Sequence, residues 1–166
     1  MIKQPPSSHT VHRNRDRILD SRRHDPYQSR GKLAEPTVCE TCRAVYKHGR
    51  WRWGDAPPES HLAICPACQR IRDDAPAGNV VVEGDFVRSH ASELINTIRN
   101  AADHERLEHP LHRIVRLDQG SGRILASTTD IHLPQRIGEA LKRAYDGELD
   151  VEYGHDAYSV RVRWRR

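Results

Sequence analysis

The sequence predicts an α+β fold in two parts: a four-cysteine zinc-binding module of the zinc ribbon or treble clef type, followed by a ferredoxin-like (split βαβ) antiparallel sheet with two helices. Three observations carry this prediction. Two Cys-x2-Cys pairs, Cys39-Glu40-Thr41-Cys42 and Cys65-Pro66-Ala67-Cys68, lie 22 residues apart. The run Asp73-Asp74-Ala75-Pro76-Ala77-Gly78 then reads as a turn or short linker. Beyond it, apolar residues switch between alternation and helical spacing in the order strand, helix, hairpin, helix, strand, strand. A looser α+β sandwich is the alternative for this second part. The expected organisation is a disordered basic arm over 1–36, the zinc module over 37–78 and an α+β domain over 79–166.

The first 36 residues carry Pro5, Pro6, Ser7, Ser8, Pro26, Ser29, Gly31 and Pro36, with Arg13, Arg15, Arg17, Arg22 and Arg23 among scattered apolar residues. Ordering such a segment costs about 1 to 2 kcal/mol per residue in backbone entropy, with little apolar area to offset it. It reads either as a solubilising tail or as an arm that folds along nucleic acid.

Each two-residue gap between cysteines lets a turn aim two thiolates at one ion, and two such turns complete a tetrahedron of sulfurs around Zn²⁺. Cys39, Cys42, Cys65 and Cys68 are therefore the expected ligands, with His48 and His61 as nearby residues able to replace one of them. A redox role would explain at most one pair, since oxidoreductase motifs use a single reactive dithiol in a βαβ context. Four thiolates close the metal shell and leave no water to activate, so the zinc is expected to be structural. The resulting formal charge of −2 calls for cations, and Arg43, Lys47 and Arg70 are the neighbours in sequence.

Between the pairs, Val45 to Trp53 reads as a hairpin turning at His48-Gly49, with Trp51 and Trp53 on one face and Arg50 and Arg52 on the other. Bases stack on indole while guanidinium meets phosphate, so this interleaving suits nucleic acid. The other reading has both rings packed over the metal turns, because so small a module is short of core.

After Gly78 come a Val-rich strand over 79–83 and a helix to about His104, striped by Val87, Ala91, Leu94, Ile95, Ile98, Ala101 and Ala102. Strands over 113–117 and 123–127 flank a reversal at Asp118-Gln119-Gly120-Ser121-Gly122. Thr129 or Asp130 caps a second helix with Leu133, Ile137, Ala140, Leu141 and Ala144 on one face, and Gly147 ends it. Strands over 149–153 and 158–164 complete the chain. In the last, Tyr158, Val160, Val162 and Trp164 alternate with Ser159, Arg161, Arg163 and Arg165, giving one apolar and one basic face.

Composition narrows the function classes. The chain of 166 residues is 36% hydrophobic and 30% charged. It has no run of about 20 apolar residues and no apolar segment near Met1, which excludes a membrane span or secretory leader and makes a cytoplasmic location the expectation. The net charge of +4 suits an anionic partner. Residues 1–78 hold 14 Lys plus Arg against 9 Asp plus Glu, and 79–166 hold 13 against 14, so the front half is the basic one.

The front module, from Cys39 to Cys68 with Tyr46, Gly49, Trp51 and Trp53 between the pairs and Arg70-Ile71-Arg72-Asp73 after them, resembles the zinc-binding start of the Nmd-type adaptors for large ribosomal subunit export. Residues 37–166, including Thr128-Thr129-Asp130-Ile131-His132-Leu133 and Gly138-Glu139-Ala140-Leu141, are similar to small bacterial zinc-ribbon proteins with no assigned activity. Those adaptors carry further Cys-x2-Cys pairs and domains that this chain lacks, so nuclear export does not transfer. The resemblance implies attachment to ribosomal or other structured RNA through Arg43, Lys47, Arg50, Arg52, Trp51 and Trp53.

No enzyme signature emerges. Gly120-Ser121-Gly122 lacks the context of a phosphate loop, and Asp130 near His132 sits where a helix cap belongs. His90, His104, His109 and His112 surround the long helix and its exit, but His90 and His104 are about four turns, some 21 Å, apart and cannot share an ion. The expected function is a non-enzymatic, cytoplasmic zinc-binding protein that engages RNA, with a protein-docking or regulatory module as the alternative and a zinc-stabilised enzyme least favoured.

Overall fold

A computed structural model describes residues 25–29, 31–154 and 158–166. The disordered-arm expectation for 1–24 and 30 lies outside the described residues. The front module contains strands β1 (Thr37–Cys39), β2 (Val45–Lys47), β3 (Arg50–Arg52) and β4 (His61–Ala63), then helix α1 (Pro66–Arg72). They form a four-stranded sheet in the order β3-β2-β1-β4, with β4 parallel to β1. The β2–β3 reversal falls at His48 and Gly49, whose φ of 54° and 73° build a tight left-handed turn. The Glu35 carboxylate accepts both of their amides, at 2.8 and 2.9 Å.

The end of the expected arm is packed. The Asp25 carboxylate accepts from Arg70 at 2.5 Å, and the Tyr27 ring lies 4.3 Å from the same guanidinium. Arg70 is buried on α1, and desolvating its charge requires these partners.

The second unit comprises β5 (Gly78–Glu83), α2 (Asp85–Glu108), β6 (Ile114–Gly120), β7 (Arg123–Thr128), α3 (Leu133–Tyr145), β8 (Glu148–Tyr153) and β9 (Val160–Arg165). The sheet order is β6-β7-β5-β9-β8. Strands β5, β6 and β7 follow the split βαβ plan, with β7 antiparallel to both neighbours. The remainder departs from it. An all-antiparallel plan would set the strand after α3 directly against β5, whereas β9 takes that place in parallel register from Gly78↔Val160 to Glu83↔Arg165, and β8 moves to the edge.

Side-chain chemistry accounts for the exchange. Val160, Val162 and Trp164 are buried and need a central position, while Glu148, Asp150 and Glu152 alternate along β8 and suit an exposed edge. The register sets Glu148 opposite Arg165, Asp150 opposite Arg163 and Glu152 opposite Arg161. The basic face expected of the last strand is therefore matched by acids across the ladder.

Helices α2 and α3 bury their apolar stripes on the sheet. Leu94, Ile98, Ile137 and Leu141 meet Val80, Val82, Val162 and Trp164, all with 0% exposure. Gly138 allows that approach, since a Cβ there would meet Leu149 Cδ1 at 2.7 Å and Val162 Cγ1 at 2.8 Å. Asp130 caps α3 by accepting the amides of His132 and Leu133 at 2.7 and 3.1 Å. No helix of the described residues is long and apolar enough to cross a membrane.

Candidate metal centre

The four cysteines converge from two differently built turns. In the first, the Cys39 amide bonds to Ala44 O and the Arg43 amide to Cys39 O, with Arg43 at a φ of 66°. This closes a knuckle that presents Cys39 and Cys42. In the second, Cys65 is the N-cap of α1 with Pro66 in the first turn, and its sulfur accepts the Cys68 amide at 3.5 Å. The Cys65 amide in turn donates to Cys39 Sγ at 3.3 Å, tying the turns together.

The spacing of the sulfurs tests their fit to a metal. Cys39 and Cys68 Sγ lie 3.8 Å apart, and Cys42 and Cys65 Sγ 3.7 Å apart. A tetrahedron with metal–sulfur bonds of about 2.3 Å has edges of about 3.8 Å, whereas a disulfide needs about 2.05 Å. All four ligand atoms lie within 4.8 Å of one another, and three of the cysteines are buried, with Cys42 half-buried. The set is compatible with one ion such as zinc. His48 and His61 are exposed and stand outside it.

Three of the thiols are shifted by their surroundings. The hydrogen bond shared by Cys42 and Cys65 draws Cys42 down to about 4 and, with burial, pushes Cys65 up. Burial also raises Cys68, against the opposing pull of Arg113.

Arg113 is the functional residue that the sequence did not reveal. It stands just before β6, in the second unit, and its guanidinium donates to Cys68 Sγ at 3.0 Å and to Cys65 Sγ at 3.6 Å. Its backbone is fixed by Thr129, whose hydroxyl accepts the Arg113 amide at 2.9 Å and whose own amide donates to Arg113 O at 2.9 Å. The cation placed to offset the thiolate charge therefore comes across the junction. Of the three expected by nearness in sequence, Arg70 is committed to Asp25 and Ala75 O, while Arg43 and Lys47 are exposed. A half-buried cation 45 residues from Cys68 leaves no local pattern; the signal was the unbalanced charge of the cysteines themselves.

The remaining predicted residues divide by face. Arg43, Lys47, Arg50 and Arg52 are exposed and form no ion pair among the described residues. Trp51 and Trp53 are half-buried against the cysteine cluster, together with Leu111 of the second unit. Trp51 lies 5.5 Å from the Tyr46 ring, and Trp53 Nε1 donates to Arg106 O on α2 at 2.6 Å. A groove of about 430 Å³ runs along this junction, lined among others by Tyr27, Tyr46, Arg50 and Trp51. Family models, curated proteins and solved structures provide no match to the chain.

Proposed function

We propose that this is a non-enzymatic, cytoplasmic zinc-binding protein whose Cys39, Cys42, Cys65 and Cys68 hold one structural Zn²⁺ and whose basic β2–β3 hairpin engages structured RNA, including that of the ribosome. The observation that carries the metal reading is the pair of 3.7 and 3.8 Å sulfur separations, the edges a ZnS₄ tetrahedron requires. With four thiolates the ion has no open position, so its chemistry here is to fix the knuckle against α1. The knuckle, hairpin and helix sequence, with the second ligand pair in the first helical turn, favours a treble clef over two facing knuckles.

Support for the RNA reading comes from Arg43, Lys47, Arg50 and Arg52, which are without ion pairs among the described residues, from aromatic rings beside Arg50 in the groove, and from the resemblance to ribosomal-subunit adaptors. The test is binding of the full-length, zinc-loaded protein to a structured ribosomal RNA fragment across a salt series. Affinity should fall steeply with salt, and Arg50→Glu with Arg52→Glu should reduce it about tenfold or more while leaving zinc bound. Salt-insensitive binding, or unchanged affinity in the double variant, contradicts RNA engagement. Salt-insensitive capture of a protein partner would support the docking alternative.

A further inference from the structure

A second group of ligating side chains converges at the far end of α2. Glu105, His109 and His112 each offer a ligand atom, and these atoms lie within 4.8 Å of one another. Glu105 and His109 are one helical turn apart and share a face. The chain then reverses at Pro110, where the His112 amide bonds to His109 O at 2.9 Å, and this reversal brings His112 back over Glu105. His112 Nδ1 lies 3.4 Å from Glu105 Oε2. That is about the ligand-to-ligand edge of a tetrahedron with bonds of 2.0 to 2.1 Å, the length zinc makes to nitrogen and oxygen.

The surroundings complete the arrangement. His112 Nε2 lies 3.5 Å from Asp130 Oδ2, and Asp130 is 6% exposed with its Oδ1 buried and without a hydrogen-bond partner among the described residues. A carboxylate behind an imidazole fixes the tautomer and orientation of a metal-bound histidine. Arg136 Nε lies 3.5 Å from Glu105 Oε1, which leaves Oε2 directed toward His112. An ordinary ion-pair relay would account for Glu105, His112 and Asp130, but it gives no part to His109, whose ring centroid lies 4.6 Å from that of His112. His109 is exposed, so its ring is free to turn and close the loosest of the three separations.

We propose that Glu105, His109 and His112 form a second metal site, separate from the cysteine centre, for a divalent first-row transition ion, with Zn²⁺ the occupant that two imidazoles and one carboxylate suit. Three protein ligands leave at least one coordination position for water or another small donor. His109 and His112 also line the groove between the two units, so that position belongs to the groove. The site pairs an exchangeable ion with the basic, aromatic wall formed by Tyr46, Arg50 and Trp51.

The test uses the full-length protein preloaded at the cysteine centre and then titrated with Zn²⁺ by calorimetry, with Co²⁺ as a spectroscopic probe of the same step. A further ion should bind, and the added Co²⁺ should show d–d bands without sulfur-to-cobalt charge transfer. His109→Ala and Glu105→Gln should each weaken this event by about tenfold or more, leaving the cysteine-bound ion in place. His104→Ala, an exposed histidine outside the cluster, should leave it unchanged. His109→Ala alters an exposed side chain, so failure to fold is not at issue. The proposal is overturned if preloaded protein takes up no further ion, if uptake is equal in His109→Ala, or if the added Co²⁺ shows sulfur ligation.

Discussion

The two units of this chain are held together by different means. The second closes its sheet with two helices over a continuous apolar core that includes Leu94, Ile98, Leu141, Val162 and Trp164, all fully buried. The buried part of the front module's cluster consists of Cys39, Ala44, Cys65, Ala67 and Cys68, with Trp51, Trp53, Ile64 and Leu111 packed around it. Strands of three residues and a seven-residue helix bury too little apolar surface to offset their ordering entropy. In one unit the core specifies the fold; in the other the core is largely a cluster of four cysteines spaced to hold an ion. The units also meet through both: the second supplies Arg113 and Leu111 to the first, and Trp53 of the first bonds to the backbone of α2.

The largest effect should come from the metal. Extraction of the ion with a strong chelator removes a contribution of about 10 to 16 kcal/mol at a structural zinc site, and Cys65→Ser removes part of it. Hydrogen exchange should then show the amides of residues 37–72 losing protection while those of α2, α3 and β5 keep theirs. Retained protection over 37–72 would erase the contrast between the units.

The reciprocal experiment is Leu141→Ala, which opens a cavity in the apolar core and should cost the second unit about 2 to 5 kcal/mol in denaturant unfolding. Zinc content should stay at the wild-type level. Loss of zinc in this variant would show that the two units unfold as one.

A smaller effect is expected where they meet. Arg113→Ala should weaken zinc retention about 10- to 100-fold in a chelator competition, with both folds preserved, and Arg113→Lys should recover part of the loss. Equal retention in wild type and Arg113→Ala would mean that the cation across the junction does nothing for the thiolates. Smallest of all, Trp53→Phe deletes one hydrogen bond to Arg106 O and should cost about 1 kcal/mol in thermal unfolding.

What the sequence disclosed follows the range of the interactions involved. The cysteine pairs, the stripe of α2, the Ser121-Gly122 reversal and the cap at Asp130 are all short-range patterns, and each is found where alternation, helical spacing or turn chemistry puts it. Pairing of distant segments left weaker traces. The parallel alignment of β9 with β5 joins residues some 80 positions apart, and only the acids of β8 hinted that this strand belongs at the edge. The contacts of Tyr27 and Asp25 with Arg70 were hidden in a segment whose composition reads as an arm. Arg113 looked like any strand-opening basic residue. The grouping of His109 and His112 with Glu105 was obscured because His90 and His104, which belong to neither site, dominated the pattern of histidines along the helix.

The most direct measurement is X-ray absorption at the zinc edge on the full-length protein carrying His109→Ala and His112→Ala, so that only the cysteine centre contributes. Four sulfur scatterers at about 2.3 Å, with no nitrogen or oxygen in the shell, are the expected result. A shell containing two or more light atoms, or a protein that binds no zinc and carries disulfides between these cysteines, would contradict it.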